Sequence, residues 1–139
     1  MEASGRTGAD VARDLVSHSP FANHVGLRLE SLEPDTAMLA LDYHEAIATV
    51  PGLVHGGAIS TLVDTAATLA SWSTPDGSVP SAGTTVGMTV DFLRAARGID
   101  LRAVARVVKR GRSLCFVDVE VADAGGELVA KGLVTYKVG

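Results

Sequence analysis

Little in this chain could staple, coordinate or stack. Its 139 residues include one cysteine, Cys115, and four histidines, and aromatics make up 4% of the total. One thiol cannot close an internal disulfide, and no CxxC or HxxxH spacing accompanies it. A disulfide scaffold and a structural zinc module are both excluded. No run approaches the ~18 consecutive apolar residues of a membrane span. No long basic run exists either. The 12 Lys plus Arg are outnumbered by 16 Asp plus Glu, for a formal charge of −4, which argues against a surface built to neutralise the phosphates of a nucleic acid. The opening residues, MEASGRTGADVARDLV, carry acids and lack a basic stretch ahead of an apolar one, so they do not read as a secretory signal. The expected compartment is the cytoplasm.

What is present is apolar residue, 47% of the chain. At this length folding removes roughly two-thirds of the surface the unfolded chain exposes, enough for one sizeable core without staples. Residues 1–8 are small and polar and read as a frayed tail. Val11, Ala12, Leu15 and Val16 then recur at helical spacing, predicting a helix over about 9–17 that ends at Pro20. The runs Val25–Glu33 and Thr36–Tyr43, split by Glu33, Pro34 and Asp35, predict a hairpin. After a turn-rich loop from His44 to Gly57, the segment AISTLVDTAATLASW holds no Pro or Gly and predicts the one long helix. Four strand-like runs follow. In the first, Val86, Met88, Val90 and Phe92 alternate with Thr85, Gly87, Thr89 and Asp91; turns near Arg97-Gly98, at Gly111 and at Gly125-Gly126 separate the others. A helix within a mostly antiparallel meander makes an α+β domain in which a curved sheet wraps the helix. The predicted division is a tail with a short helix over 1–20 and the main domain over 21–139.

At 100° per residue, Ile59, Leu62, Val63, Ala66, Leu69 and Ala70 fall within one half of the long helix, with Ser60, Thr61, Asp64, Thr68 and Ser71 on the other. A face open to water would carry Lys, Glu, Arg or Gln. Asp64 is instead the only charge on the helix, so this face is expected to line a cleft or a second protein surface, where a carboxylate can be tuned for chemistry. Directly before the helix stands Val54-His55-Gly56-Gly57. Two glycines at a helix start let a ligand approach main-chain N–H groups, and the helix dipole favours negative charge there. An acyl carbonyl polarised by the amide of Gly56 or Gly57 could be attacked by the carboxylate two turns further on, or by water that the carboxylate deprotonates. Gly-Gly before a helix also serves as a plain turn, and a single histidine such as His55 is more often structural than catalytic.

These residues also carry a resemblance. The segment LVHGGAISTLVDTAATLAS, with HGG followed seven residues later by an acid, is similar to the hotdog-fold acyl-CoA thioesterases of the phenylacetate-pathway (PaaI-like) type. TTVGMTVDFLRAA and VKRGRSLCFVDVEVADAGGELVAKG resemble that family's later strands. The resemblance implies a hotdog fold, active sites at the interface of a homodimer, commonly a homotetramer, and acyl-CoA as substrate with no further cofactor and no metal. It also implies that the Gly56 amide polarises the thioester carbonyl, Asp64 is general base or nucleophile, His55 helps hold the substrate, and Thr85 orients the carboxylate or water. Gly57 and Thr68 would touch substrate. Many relatives carry Asn or Gln six residues before the His, where this chain has Thr49, a shorter donor. Arg94, Arg97, Lys109, Arg110 and Arg112 gather at two turns that in the family lie near the coenzyme A phosphates, and guanidinium groups suit phosphate. Trp72 and Phe92 read as packing residues, and Cys115 as a small buried hydrophobe. Two other readings remain: a non-catalytic acyl-CoA binder, motivated by Thr49, and a hotdog hydratase or dehydratase, whose motifs are absent.

Overall fold

The computed structural model describes residues 5–139. Helix α1 (Gly8–His18) opens with a capping box: the Thr7 side chain accepts from the Asp10 N–H while the Asp10 carboxylate accepts from the Thr7 N–H. It runs one residue further at each end than the predicted 9–17. Residues 1–4 of the predicted tail lie outside the described residues. Pro20, expected only to end that helix, opens a second one, α2 (Pro20–Val25), because Ser19 caps it and proline suits a first helical turn. Gly26, at φ 95°, closes it in the left-handed region.

The predicted hairpin follows as β1 (Leu27–Glu33) and β2 (Thr36–Leu41). Inside the predicted loop lies a small unforeseen hairpin, β3 (Ala48–Val50) and β4 (Leu53–Val54). Then come α3 (Gly56–Trp72), β5 (Gly83–Phe92), β6 (Leu101–Arg110), β7 (Leu114–Asp123) and β8 (Leu128–Val138). The main sheet is antiparallel throughout, in the order β1-β2-β6-β7-β8-β5. Six strands at ~4.8 Å spacing span about twice the ~10 Å width of a helix. All six nevertheless touch α3, so the sheet must curve around it. No helix among the described residues is long and apolar enough to cross a membrane.

The wheel placed the inward face of α3 well. Ile59, Leu62, Val63, Ala66, Leu69 and Ala70 are all buried, each such Leu, Ile or Val contributing roughly 1.5–3 kcal/mol relative to exposure. Ser71 departs from it. It is fully buried, and its hydroxyl donates to the Ala67 carbonyl at 2.8 Å, which satisfies it within the helix. Small residues on the strands let helix and sheet approach closely: Ala103 and Ala105 on β6 are fully buried, and a Cβ added to Gly132 on β8 would sit 2.5 Å from Val63 Cγ1. Cys115 is buried as expected, and burial, the largest influence on it, raises its thiol pKa above the ordinary value.

The register of β5 differs from simple alternation. A bulge at Val86 means that Thr85 opposes Tyr136 while Gly87 opposes Thr135. The extra residue shifts the pleat by one. Thr85 therefore shares the helix-facing side with Met88, Val90 and Phe92, where the sequence pattern had set it on the opposite face. β5 is also an edge strand, and Met88 and Phe92 stay 41% and 54% exposed even on that side.

The close approach at Gly132 generates a first prediction. Gly132→Ala should destabilise the fold by about 1–3 kcal/mol through overpacking, and Val63→Ala in the same chain should lower the cost of the added methyl. Urea unfolding midpoints of the two single variants and the double variant check it; additive costs would mean that the two sites do not meet.

Candidate active site

Helix α3 presents different chemistry at its start, its middle and its end. At the start, His55 is the N-cap, and its Nδ1 accepts from the Gly57 N–H at 2.7 Å. A ring that accepts at Nδ1 carries its proton on Nε2, leaving one outward donor on an exposed side chain. The N–H groups of Ala58 and Ile59 both reach the His55 carbonyl, at 2.9 and 3.2 Å. Among the described residues, the Gly56 amide alone in this turn has no partner. Of the two amides the sequence offered as oxyanion donors, Gly57 is thus occupied by the cap and Gly56 is free.

Gly56 lines a cleft of about 370 Å3 with Thr49, Leu53, Phe92 and Arg94. Phe92 was expected to pack inside. It is instead 54% exposed, with its ring 3.5 Å from where a Cβ on Gly56 would stand. Thr49 reaches this cleft because Tyr43 ties down the β3–β4 hairpin. Its hydroxyl donates to the Glu45 carboxylate at 2.9 Å and accepts from the Gly52 N–H at 2.7 Å. Nothing in the sequence pointed to Tyr43, since its partners come from tertiary placement; Pro51-Gly52 marked only the turn. Arg94 is held in an ion pair with Glu127, and Arg97 lies where its backbone bridges to Leu53.

In the middle of α3, Asp64 is half-buried, and the Thr85 hydroxyl donates to its Oδ1 at 2.6 Å. The bulge at Val86 is what turns Thr85 towards the helix. Oδ2 has no partner among the described residues. Asp64 lines a cleft of about 230 Å3 with Leu15, Phe21, Thr65 and Thr68, so the structure brings Asp64, Thr85 and Thr68 together. Behind Thr85, the buried Tyr136 accepts from the Trp72 indole N–H at 2.7 Å, and burial raises its phenol pKa. Trp72 is the packing residue expected. Sequence reasoning missed Phe21, whose position just after Pro20 offered no signal because the second helix was not foreseen.

Gly56 and Asp64 are not brought together. Eight residues at 1.5 Å each separate them by about 12 Å along the helix, whereas an oxyanion donor and an attacking group act within about 3 Å of one carbonyl. Each lines its own cleft.

At the far end of α3 the basic turn has another task. Arg110, 21% exposed, pairs with Asp35 at 2.8 Å and donates to the Ser71 and Ala70 carbonyls at 2.9 and 3.4 Å. It caps the helix and ties β6 to the β1–β2 turn. That gives Arg110 a structural task at this end of the helix, and Arg110 also lines the cleft there. Lys109 and Arg112 are exposed beside it, and Arg112 lines a cleft with Thr74 and Pro80. Seventeen residues of helix put this end about 25 Å from the Gly56 end of the same chain.

Comparisons with known proteins agree with the architecture. The thioesterase superfamily profile matches residues 51–130. Acyl-coenzyme A thioesterase 13 of Homo sapiens is 31% identical over 133 residues, covering 94% of this chain and 93% of that protein. A thioesterase family protein from Silicibacter pomeroyi superposes with a TM-score of 0.86 at 29% identity, covering 94% of this chain and 97% of that one. The PaaI protein of the E. coli phenylacetic acid degradation operon superposes at 0.83 with 22% identity, over 95% and 94% of the two chains, a likeness of fold. The expected hotdog architecture is thereby shown.

The division of labour among the arginines is testable by stability. Arg110→Met should cost about 1–3 kcal/mol, because it strands Asp35 and uncaps α3, while Arg112→Met should change stability by less than about 0.5 kcal/mol. Chemical denaturation of both variants checks this; equal losses would remove the structural assignment of Arg110.

Proposed function

From the membership of this chain in the thioesterase superfamily, we propose that it hydrolyses acyl-CoA thioesters to the free acid and coenzyme A, at sites shared between two copies. The observation that supports this reading most is the state of α3. Gly56, its one first-turn amide without a partner among the described residues, and its one carboxylate, Asp64 held by Thr85, are the two groups the reaction needs, yet they lie about 12 Å apart in one chain. A second copy related by a two-fold axis supplies the missing half of each site. The exposed Met88 and Phe92 on the edge strand β5 favour that arrangement, since an unpaired, apolar edge invites a partner.

In this mechanism the Gly56 N–H of one copy donates to the thioester oxygen as negative charge develops on it, aided by the helix dipole. Asp64 of the other copy takes a proton from water as the water oxygen adds to the carbonyl carbon. The tetrahedral adduct collapses, the C–S bond breaks, and coenzyme A leaves as a thiolate that then collects the proton. Asp64 acting as nucleophile gives the same products through an anhydride that water opens. Thr85 orients Oδ1 in either case, so that Oδ2 faces the reaction. His55 offers its Nε2 proton, Thr49 a short hydroxyl, and Arg94 a cation beside Gly56. Lys109 and Arg112, remote from Gly56 of their own chain, are left for the phosphates of coenzyme A.

Two variants separate the halves. Asp64→Asn removes the base and should lower kcat by at least ~10³-fold while coenzyme A binding persists. Gly56→Pro removes only the N–H, because proline is favoured at the first helical position and His55, at φ −66° and ψ 135°, already holds the extended geometry required before proline. It should cost about 10²–10³ in kcat. Thiol release from a panel of aromatic and aliphatic acyl-CoA esters measures both. Mixed by co-refolding in equal amounts, the two dead variants should regain about a quarter of wild-type activity, since half of the dimers are mixed and each has one intact site. No recovery would place both groups of a site on one chain. No thiol release by the wild type across the panel would favour the acyl-CoA binder, with Thr49 as the first residue to question.

A further inference from the structure

The helical segment at the start of the chain has no part in the chemistry described so far, yet it forms one wall of the cleft that holds Asp64. Ala12, Val16 and Ala22 anchor this segment in the core. Leu15 and Phe21 do not follow them. They stay 40% and 59% exposed and line the cleft with Asp64, Thr65 and Thr68. Two large apolar side chains left open on the same cleft as a lone carboxylate make an apolar patch of the kind that marks a ligand site.

We infer that Leu15 and Phe21 form the seat for the acyl group, and that it takes an uncharged, apolar acyl chain; this rests on the thioesterase reading above. Three observations support it. The cleft is about 230 Å3, below the ~300 Å3 at which pockets for drug-sized ligands begin, so it suits one end of the ester and not the whole of it. Among the described residues Asp64 is its only charged wall residue, and none of them supplies a cation to pair with a carboxylate or phosphate on the ligand. Its other polar groups are hydroxyls, and that of Ser19 is already engaged, accepting from the Ala22 N–H at 3.1 Å to cap α2. A charged acyl group would lose its hydration here and gain no partner. An apolar one would cover Leu15 and Phe21 while its carbonyl lies at Asp64. Because the wall comes from α1 and α2, selectivity among acyl groups is separable from the base and the oxyanion donor on α3.

The test compares kcat/KM for octanoyl-CoA and acetyl-CoA in the wild type, Phe21→Ala and Leu15→Trp, with thermal unfolding confirming that each variant is folded. Phe21→Ala alters only an exposed ring, so it keeps the test open if the larger Trp disturbs packing. The octanoyl-to-acetyl ratio should fall about tenfold in at least one variant, the scale set by losing a few methylene contacts. A succinyl ester, which carries a carboxylate, should be a poorer substrate of the wild type than butanoyl-CoA, its uncharged counterpart. A ratio within threefold of wild type in both variants, equal losses on the two esters included, overturns the assignment of the seat. So does a wild type that prefers succinyl-CoA. A wild type that releases no thiol from any of these esters overturns the thioesterase reading itself, and this inference with it.

Discussion

The burial of one uncharged helix inside a curved sheet is the constraint on which the remaining features depend. A sheet can close around α3 only where the facing strand residues are small, and so β6 contributes Ala103 and Ala105 and β8 contributes Gly132 against Val63. The ends of such a helix cannot lie buried without partners for their free amides and carbonyls. Arg110 answers at the C-terminal end, by reaching the Ser71 and Ala70 carbonyls while held by Asp35. At the N-terminal end the His55 ring takes the Gly57 amide and leaves that of Gly56 open. The unpartnered amide is thus what remains after everything else in the turn has been satisfied. Placed at the positive end of the helix dipole, it is a preformed site for developing negative charge.

A second consequence concerns β5. Strict alternation would have turned Thr85 away from the helix, and the bulge at Val86 reverses this. One extra residue in an edge strand, where a lost ladder bond costs least, aims a hydroxyl at Asp64 Oδ1. The same edge position leaves Met88 and Phe92 open where the helix no longer covers the sheet.

How much of this was legible in the sequence follows from the range of the interaction concerned. The α+β order, the long helix with its inward face and the hairpin turns at Gly111 and Gly125-Gly126 rest on periodicity and on Gly and Pro signals within a few residues, and they stand as read; the meander does not, because β5 pairs β8 across the sheet and β6 pairs β2, so Arg97-Gly98 turns a crossover and not a hairpin. Pro20 was legible as a stop, but whether a proline ends one helix or starts the next depends on a cap, and Ser19 supplies it. Ser71 looked like surface because a wheel cannot register the curl of the sheet over the helix end. The role of Arg110 was hidden for a similar reason: Asp35 lies 75 residues away in the chain. Nor could alternation reveal a bulge. The lone charge on α3 and the glycines before it were plain in the sequence, whereas the occupation of Gly57 by His55 needed the ring's geometry.

The proposed pairing of copies has a geometric warrant in the way β5 lies against α3. The strand touches the helix at two chemically distinct levels: Thr85 meets Asp64, and Phe92 stands at Gly56. A two-fold axis through the middle of β5, near Met88 and Thr89, exchanges the two ends of that strand. It therefore carries the Asp64 level of one copy onto the Gly56 level of the other, twice over, and turns two separated clefts per chain into two complete sites per dimer. The strand itself permits this. Over Gly83–Phe92 it carries a single charge, Asp91, and no Lys or Pro of the kind that guards an edge against pairing. The proposed pairing would also account for the polar face of α3: with a second copy beside it, any Lys or Glu in place of Ser60, Thr61 or Thr65 would be a buried charge without a partner. Asp64 is held there by the Thr85 hydroxyl on Oδ1, and under the proposed pairing its Oδ2 faces the substrate.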